Sequence, residues 1–315
     1  MKLTRREFFK LCAGTAAGAG ISQLYVPEVV AALNDAAAGK PPVIWLQGQS
    51  DSGCSVSLLN TTHPTIAEVL LKVISLRYHA TVMAGTGETA NAPLEEVKKE
   101  ASGKFILIVE GSIPTEGDGA YCVIGEQNGK PLYMAEVLKD LAPHAAAIVA
   151  VGACAAFGGI PAARPNPTGA KSVSEFLGQP VVNIPGCPAH PDWIVGTLVH
   201  VLLYGMPDLD DQGRPTLFFG KTIHENCPRY YYFADGQYAE NFGEEGCLIQ
   251  LGCKGPVTQS DCPSRKWNSG VNWCIQNGGM CIGCCAPNFP DGTGAMYTAL
   301  PENLWPNKDP KRTIV

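Results

Sequence analysis

The 315-residue sequence lacks three features that would narrow its class at once. It has no excess of positive charge: its net charge is −6, so nothing electrostatic indicates a nucleic-acid partner. It has neither an internal repeat nor a low-complexity tract. No segment beyond the N-terminal region has the run of about 20 apolar residues that a membrane-spanning helix needs. We therefore expect no transmembrane anchor in this chain.

The N-terminal region contains a pair of arginines, Arg5 and Arg6, followed by Phe8, Phe9 and a Gly/Ala-rich run. That run is too short and too small in side chain for a membrane span. The pattern predicts a twin-arginine export signal over residues 1–38, and an amphipathic helix is the alternative. The twin-arginine route carries folded proteins, so we expect a periplasmic protein whose cofactors are inserted before export.

Between residues 40 and 205, apolar β-branched runs alternate with helical patterns. The runs that predict strands are 43–46, 105–109, 148–151 and 181–184, with a further candidate at 81–83. The helical patterns are 66–76, 94–100, 134–141, 173–177 and 193–204. Such alternation predicts right-handed crossovers and a parallel sheet covered on both faces. The sequence therefore predicts an α/β domain with a flavodoxin-like, doubly wound sheet.

The remaining segment, 206–315, loses this alternation and is rich in Gly, Pro, Asn and Cys. It has no long periodic helix, so a hydrophobic core alone is not expected to hold it. Disulfides or metals are the usual means of stapling such a segment. We therefore predict a second, irregular domain that depends on its cysteines.

Thirteen cysteines are present, and only Cys12 lies in the predicted signal. Ligands of doubly wound sheets bind beyond the carboxyl ends of the strands. Cys54, Cys154 and Cys187 each lie in a Gly-rich turn directly after a predicted strand, and Asp51 precedes Cys54 where a C-x-x-C pair would have its first thiol. Three equivalent positions indicate one shared site at the sheet edge, made of three thiols and a carboxylate.

The predicted C-terminal domain contains two further sets of four. One comprises His224, Cys227, Cys247 and Cys253. The other comprises Cys262, Cys274, Cys281 and Cys284. Four such ligands suit zinc about as well as an iron–sulfur cluster, and an even number of cysteines after export also allows a disulfide framework. Three sets in one small protein favour electron transfer. Cys285 has no place in these sets and is interpreted as a buried free thiol.

At this point the sequence resembles a known family, the small subunits of nickel–iron hydrogenases, over nearly its whole length. The motifs that carry the resemblance are WLQGQ, GCSVSLLN, VEGSIPTE, AVGACAAFGGIPA, NIPGCPAHPDWIVGT, FFGKTIHENCPRY, GCLIQLGCKGP, DCPSRKWNSGVNWC and CIGC. The resemblance implies a flavodoxin-like domain with a proximal [4Fe–4S] cluster, and a second domain with medial and distal clusters. The nickel–iron centre is expected in a separate large subunit.

Carried over by position, the resemblance assigns three cluster sites. The proximal site is Asp51, Cys54, Cys154 and Cys187; the medial site is Cys262, Cys274, Cys281 and Cys284; the distal site is His224, Cys227, Cys247 and Cys253. Many family members have proline where Cys274 stands and hold a three-iron medial cluster. Cys274 therefore resembles the nickel–iron–selenium type and implies a third [4Fe–4S] cluster, of lower potential.

Asp51 is the main departure, because the family has a cysteine at this position. Asp51 is expected to bind iron through its carboxylate. The alternatives are that Cys122, at the same sheet edge, replaces it, or that the site is three-coordinate or empty.

The resemblance implies an oxidoreductase acting on H₂ (H₂ ⇌ 2H⁺ + 2e⁻). This chain would relay electrons from the large subunit to a periplasmic acceptor such as cytochrome c, and would have no catalytic residue of its own. Three alternatives are an exported binding protein stapled by zinc, one stapled by disulfides, and a standalone ferredoxin-like carrier.

Overall fold

The computed structural model of the chain describes residues 40–292, 294 and 296–307. The predicted export signal, with Arg5, Arg6 and Cys12, lies outside these residues. Within them no helix is both long and apolar enough to cross a membrane.

Five parallel strands form the main sheet, in the order β2–β1–β3–β6–β7. The strands are β1 Pro42–Gln47, β2 Ser75–His79, β3 Phe105–Glu110, β4 Val123–Gln127, β5 Lys130–Tyr133, β6 Ala145–Val151 and β7 Val182–Ile184. Strands β4 and β5 form a separate antiparallel hairpin. The chain moves outward from β1 in both directions, which is the flavodoxin-like order. The predicted fold class is thus confirmed.

The central strands are buried on both faces because each face is covered by helices. Val43 and Trp45 of β1 pack into one apolar cluster, whereas Ile44 and Leu46 pack into the other. This is the alternation that a strand imposes on successive side chains. The helices are α1 Gly53–Leu59, α2 Ile66–Glu68, α3 Gly87–Glu100, α4 Met134–Leu141, α5 Ala153–Phe157, α6 Val173–Leu177, α7 Pro191–Tyr204, α8 Thr216–Phe219, α9 Tyr230–Ala234 and α10 Cys262–Arg265.

Two predictions near the second strand were wrong. The strand is Ser75–His79, whereas 81–83 lies in and just after a turn in which Val82 is 41% exposed. The predicted helix over 66–76 is only the short α2 followed by a π-helical turn, Val69–Val73. Leu76 therefore belongs to β2, because pairing with β1 outweighs the local apolar spacing.

The chain beyond residue 205 is irregular, as predicted. Its described helices have four or five residues each. It does not form a core entirely of its own: Phe218, Phe219 and Trp273 pack in the same apolar cluster as Trp193 and Leu198 of α7. The C-terminal region is therefore seated on α7, which begins just after the Cys187 loop.

Candidate functional site

Three cysteines lie at the carboxyl edge of the sheet, where the sequence predicts them. Cys54 is in the first turn of α1 after β1, Cys154 is in the first turn of α5 after β6, and Cys187 is in the loop after β7. The loops meet directly, since the Ala189 N–H donates to Cys54 Sγ at 3.5 Å. The order of the strands therefore brings three thiols from distant parts of the chain to one place.

Asp51 lies beside this group of thiols. Burial raises the pKa of the Cys154 thiol, and the negative charge of Asp51 raises it further. Cys187 is exposed as a residue, but its thiol is partly buried. This burial, together with the smaller effects of neighbouring charges that include Asp51, raises the pKa of the thiol to about 11. Asp51 is itself exposed, and its Oδ1 accepts the Gly53 N–H at 2.8 Å. The carboxylate is thus within electrostatic range of two of the three thiols.

Two glycines keep the space next to these thiols open. A Cβ on Gly152 would lie 2.6 Å from Cys54 Sγ, and one on Gly159 would lie 2.9 Å from Cys154 Sγ. Both glycines have positive φ angles, +91° and +53°, which residues with a side chain rarely adopt. Any larger residue would fill the cradle that the thiols face, so the site fits a compact inorganic group.

Glu110, at the end of β3, anchors the Cys54 loop from below and is 1% exposed. Its Oε1 accepts the backbone N–H groups of Cys54 at 2.9 Å and Ser55 at 3.2 Å. Its Oε2 accepts from Trp45 Nε1 at 3.0 Å, from Gln47 Nε2 at 3.2 Å and from the Ser55 hydroxyl. A buried carboxylate satisfied by five donors fixes the backbone of Cys54 relative to β1 and β3.

His79 extends this network. Its Nδ1 accepts the Thr81 N–H at 3.2 Å, which leaves Nε2 as the protonated nitrogen facing Ser55 Oγ at 3.1 Å. Burial lowers the pKa of His79, with Glu110 opposing the shift. Its ring stacks on Trp45 with centroids 5.2 Å apart. The histidine is thus held neutral as part of the packing behind the site.

Cys122 also lies at the carboxyl edge, with its thiol 3.9 Å from the Gln47 carbonyl oxygen. Burial raises its pKa to about 11. Cys122 therefore lies at the same edge as the three thiols, but its own thiol contacts the end of β1.

The four predicted distal ligands, His224, Cys227, Cys247 and Cys253, line one cavity of about 280 Å³, counted with its open mouth. Burial raises the pKa of Cys227 to about 12 and that of Cys247 to about 11. The His224 ring packs edge-on against Tyr230 and Phe233, with centroids 5.2 and 4.6 Å apart. Three thiols and an imidazole around one cavity fit a polynuclear iron–sulfur group, in which each ligand binds its own metal atom.

The four predicted medial thiols also come together. Burial raises the pKa of Cys262 to about 12, and the charge of Cys284 raises it further. Cys284 likewise raises the pKa values of Cys274 and Cys281, after burial in each case. Cys285 is fully buried with its thiol 4.0 Å from Cys284 Sγ. As a hydrogen-bond donor to Cys284 it lowers the pKa of that thiol, and its own pKa rises.

All twelve cysteines in the described part of the chain are free thiols. Among residues 40–292, 294 and 296–307, no three His, Cys, Asp or Glu side chains are grouped so that they could hold one metal ion. Buried thiols with raised pKa values remain protonated, so binding of a cation must release their protons.

Two charged residues near the predicted ligands were not predicted to be buried. Lys254 directly follows Cys253 and is 2% exposed; Arg265 lies three residues after Cys262 and is 3% exposed. Sequence patterns alone treat such residues as solvated surface. The sequence indicated only that Lys254 and Arg265 lie close to cysteines, and this closeness does not predict that they are buried.

The flavodoxin-like sheet has thiols at its carboxyl edge, and the irregular region contains two further cysteine sets. This arrangement is that of a protein that binds cofactors at several sites. Two family models match the chain. The first describes the 20 Kd subunit of NADH ubiquinone oxidoreductase and matches residues 52–201. The second describes the C-terminal part of the NiFe/NiFeSe hydrogenase small subunit and matches residues 219–297.

Individual relatives agree with the second model. The chain is 52% identical to the periplasmic [NiFeSe] hydrogenase small subunit of Desulfomicrobium baculatum, covering 95% of this chain and 100% of the relative. It is 42% identical to the periplasmic [NiFe] hydrogenase small subunit of Solidesulfovibrio fructosivorans, covering 94% and 93%. The solved [NiFeSe] hydrogenase of Desulfovibrio vulgaris Hildenborough matches with a TM-score of 0.80 and 53% identity, over 84% of this chain and 99% of that one.

The chain belongs to the family of NiFe/NiFeSe hydrogenase small subunits. Membership of this family implies iron–sulfur clusters in the chain and a large subunit as its partner.

Proposed function

We propose that the chain is the electron-relay subunit of a periplasmic hydrogenase that catalyses H₂ ⇌ 2H⁺ + 2e⁻. The bond-making centre is in the large subunit, and this chain provides the path by which electrons leave or enter. The observation that carries the proposal is the cavity around which His224, Cys227, Cys247 and Cys253 meet, in a chain of this family. Clusters bound at the three sets supply one-electron steps of suitable potential.

The proposed ligands are those assigned by the sequence. Asp51, Cys54, Cys154 and Cys187 hold the proximal cluster; Cys262, Cys274, Cys281 and Cys284 hold the medial cluster; His224, Cys227, Cys247 and Cys253 hold the distal cluster. The proposed boundaries are also retained, with the flavodoxin-like domain over 40–205 and the cluster-stapled domain over 206–315. The electron acceptor is a cytochrome c, and residues 1–38 direct export by the twin-arginine route.

Iron and acid-labile sulfide analysis of the complex with its large subunit tests this function. Three [4Fe–4S] clusters give about twelve iron and twelve sulfide per small subunit, besides iron in the partner. Stoichiometric zinc without sulfide would reject the proposal. Few titratable thiols after metal removal would instead indicate a disulfide framework, and absence of a nickel-containing partner would indicate a standalone carrier.

Asp51 is proposed as the fourth proximal ligand. Its Oδ1 is already occupied by the Gly53 N–H at 2.8 Å, and its second carboxylate oxygen is available for iron. Carboxylates that bind metals are commonly held by such a hydrogen bond. The charge of Asp51 acts on Cys154 and Cys187, whereas the Cys122 thiol contacts the Gln47 carbonyl oxygen. Asp51 is therefore favoured over Cys122.

Two matched variants separate these candidates. Asp51→Ala should change the electron paramagnetic resonance (EPR) spectrum and the reduction potential of the proximal cluster, because it removes a ligand. Cys122→Ser should leave both unchanged. The opposite pair of results would assign the fourth ligand to Cys122, and two unchanged spectra would indicate a three-coordinate site.

A further inference from the structure

Two segments that each carry a predicted cluster ligand are joined by three hydrogen bonds. His190, Asp192 and Trp193 follow the proximal ligand Cys187 in the chain. Asp261, Arg265 and Lys266 flank the medial ligand Cys262. We call these six residues, His190, Asp192, Trp193, Asp261, Arg265 and Lys266, the clamp.

Each bond of the clamp crosses from one segment to the other. Trp193 Nε1 donates to Asp261 Oδ1 at 2.8 Å, and Arg265 Nη1 donates to Asp192 Oδ2 at 3.0 Å. His190 Nδ1 accepts the Asp192 N–H at 3.1 Å, so Nε2 is assigned the proton and donates to the Lys266 carbonyl at 2.8 Å. The three hydrogen bonds fix the position of one segment relative to the other.

Three of the six clamp residues are buried, and the other three are partly buried. Trp193 is 0% exposed, His190 is 5% exposed and Arg265 is 3% exposed. Arg265 also binds Asp261 through Nε at 3.1 and 2.9 Å and through Nη2 at 2.7 Å. Trp267 covers the His190 ring with centroids 4.6 Å apart. The buried Arg265 guanidinium is thus compensated by two carboxylates, and loss of either one weakens that compensation.

Close to the clamp in sequence, the loop that carries the proximal ligand Cys187 packs against the loop that carries the medial ligand Cys284. Cys285 Sγ lies 3.9 Å from the Pro185 carbonyl oxygen, so residues next to the two ligands are in contact. This packing is a short link between the two cluster sites.

We propose that the clamp holds the Cys187 loop against the Cys284–Cys285 loop and thereby sets the coupling between the proximal and medial clusters. Asp192, Trp193 and Arg265 act as positioning residues for electron passage. This inference rests on the proposed function. It goes beyond that function by assigning a task to residues that bind no iron.

Asp192→Asn and Trp193→Phe test the clamp in the assembled complex. The first removes the charge partner of Arg265 while keeping the size of the side chain; the second keeps an aromatic ring but removes the N–H. Asp140→Asn is the control. Asp140 of α4 pairs with Lys98 of α3 at 2.6 Å, and neither residue belongs to the clamp.

Three readouts are compared with the wild-type complex. Isotope exchange between H₂ and D₂O requires no electrons to pass along this chain and should stay unchanged. H₂-driven reduction of an acceptor should fall about tenfold, equivalent to about 1.4 kcal/mol in activation free energy. EPR should show a changed medial-cluster potential and a changed magnetic interaction between the reduced proximal and medial clusters. Asp140→Asn should show none of these changes.

The clamp is rejected if isotope exchange and acceptor reduction fall by the same factor, or if neither variant differs from Asp140→Asn. A wild-type complex without iron at the medial set would instead refute the proposed function itself, so the two failures are distinct.

Discussion

Replacing Glu110 with glutamine should destabilise the loop that carries Cys54. The carboxylate satisfies four N–H donors and one hydroxyl, and two of the N–H groups are the backbone amides of Cys54 and Ser55. An amide side chain of the same size has one accepting oxygen, and its NH₂ group faces two of the existing donors. Two buried N–H groups therefore lose their acceptor.

The magnitude follows from that count. A buried donor left unsatisfied costs about 1–3 kcal/mol, so two cost roughly 2–6 kcal/mol. Folded domains are stable by only about 5–15 kcal/mol. The midpoint of thermal unfolding should therefore fall by roughly 5–20 °C. The effect should be largest at the proximal site, since Cys54 loses its backbone anchor.

Thermal unfolding of the assembled complex, followed by circular dichroism and by loss of cluster absorbance, measures this effect. Glu126→Gln is the control, because Glu126 is an exposed residue of the β4–β5 hairpin. The reasoning is refuted if Glu110→Gln lowers the midpoint no more than the control does, or if the proximal EPR signal is unaffected.

Three further predictions follow from single contacts. Gly152→Ala should reduce proximal-cluster occupancy, because its Cβ would lie 2.6 Å from Cys54 Sγ; an unchanged proximal EPR intensity would contradict this. Cys274→Ala should convert the medial cluster to a three-iron form of higher potential, visible by EPR, and a retained four-iron signal would exclude Cys274 as a ligand. Burial raises the pKa of the Cys253 thiol, and the ammonium charge of Lys254 opposes that shift. Lys254→Met should therefore lower the distal-cluster potential in a redox titration, because it removes a positive charge that favours the more negative, reduced cluster; an unchanged potential would show that this charge is screened.

The sheet, and the cysteines at its carboxyl edge, could be predicted from the sequence because both depend on local patterns. Apolar runs such as the one at Val43–Leu46, bounded by turn residues, are typical of a strand buried on both faces, and the turns after them carry Cys54, Cys154 and Cys187. The strand at 81–83 was misplaced because β2 is an edge strand, where the apolar pattern is weak. Its position depends on pairing with β1, which no local pattern records.

Contacts between distant residues were not predictable in the same way. Trp193 and Asp261 are 68 residues apart, and Asp192 and Arg265 are 73 apart. Nothing in the composition around Arg265 indicates that its charge is buried and paired. Asp51 could be predicted as a candidate ligand from the C-x-x-C spacing. Its distance from the three thiols could not, because that distance depends on how separate loops fold.

Anomalous diffraction at the iron absorption edge, from crystals of the complex with its large subunit, locates the iron in this chain. Three iron clusters are expected, at the proximal, medial and distal sets, with an Asp51 carboxylate oxygen bonded to proximal iron. Absence of iron density at these sets, or density for a single zinc ion at each, would contradict this expectation.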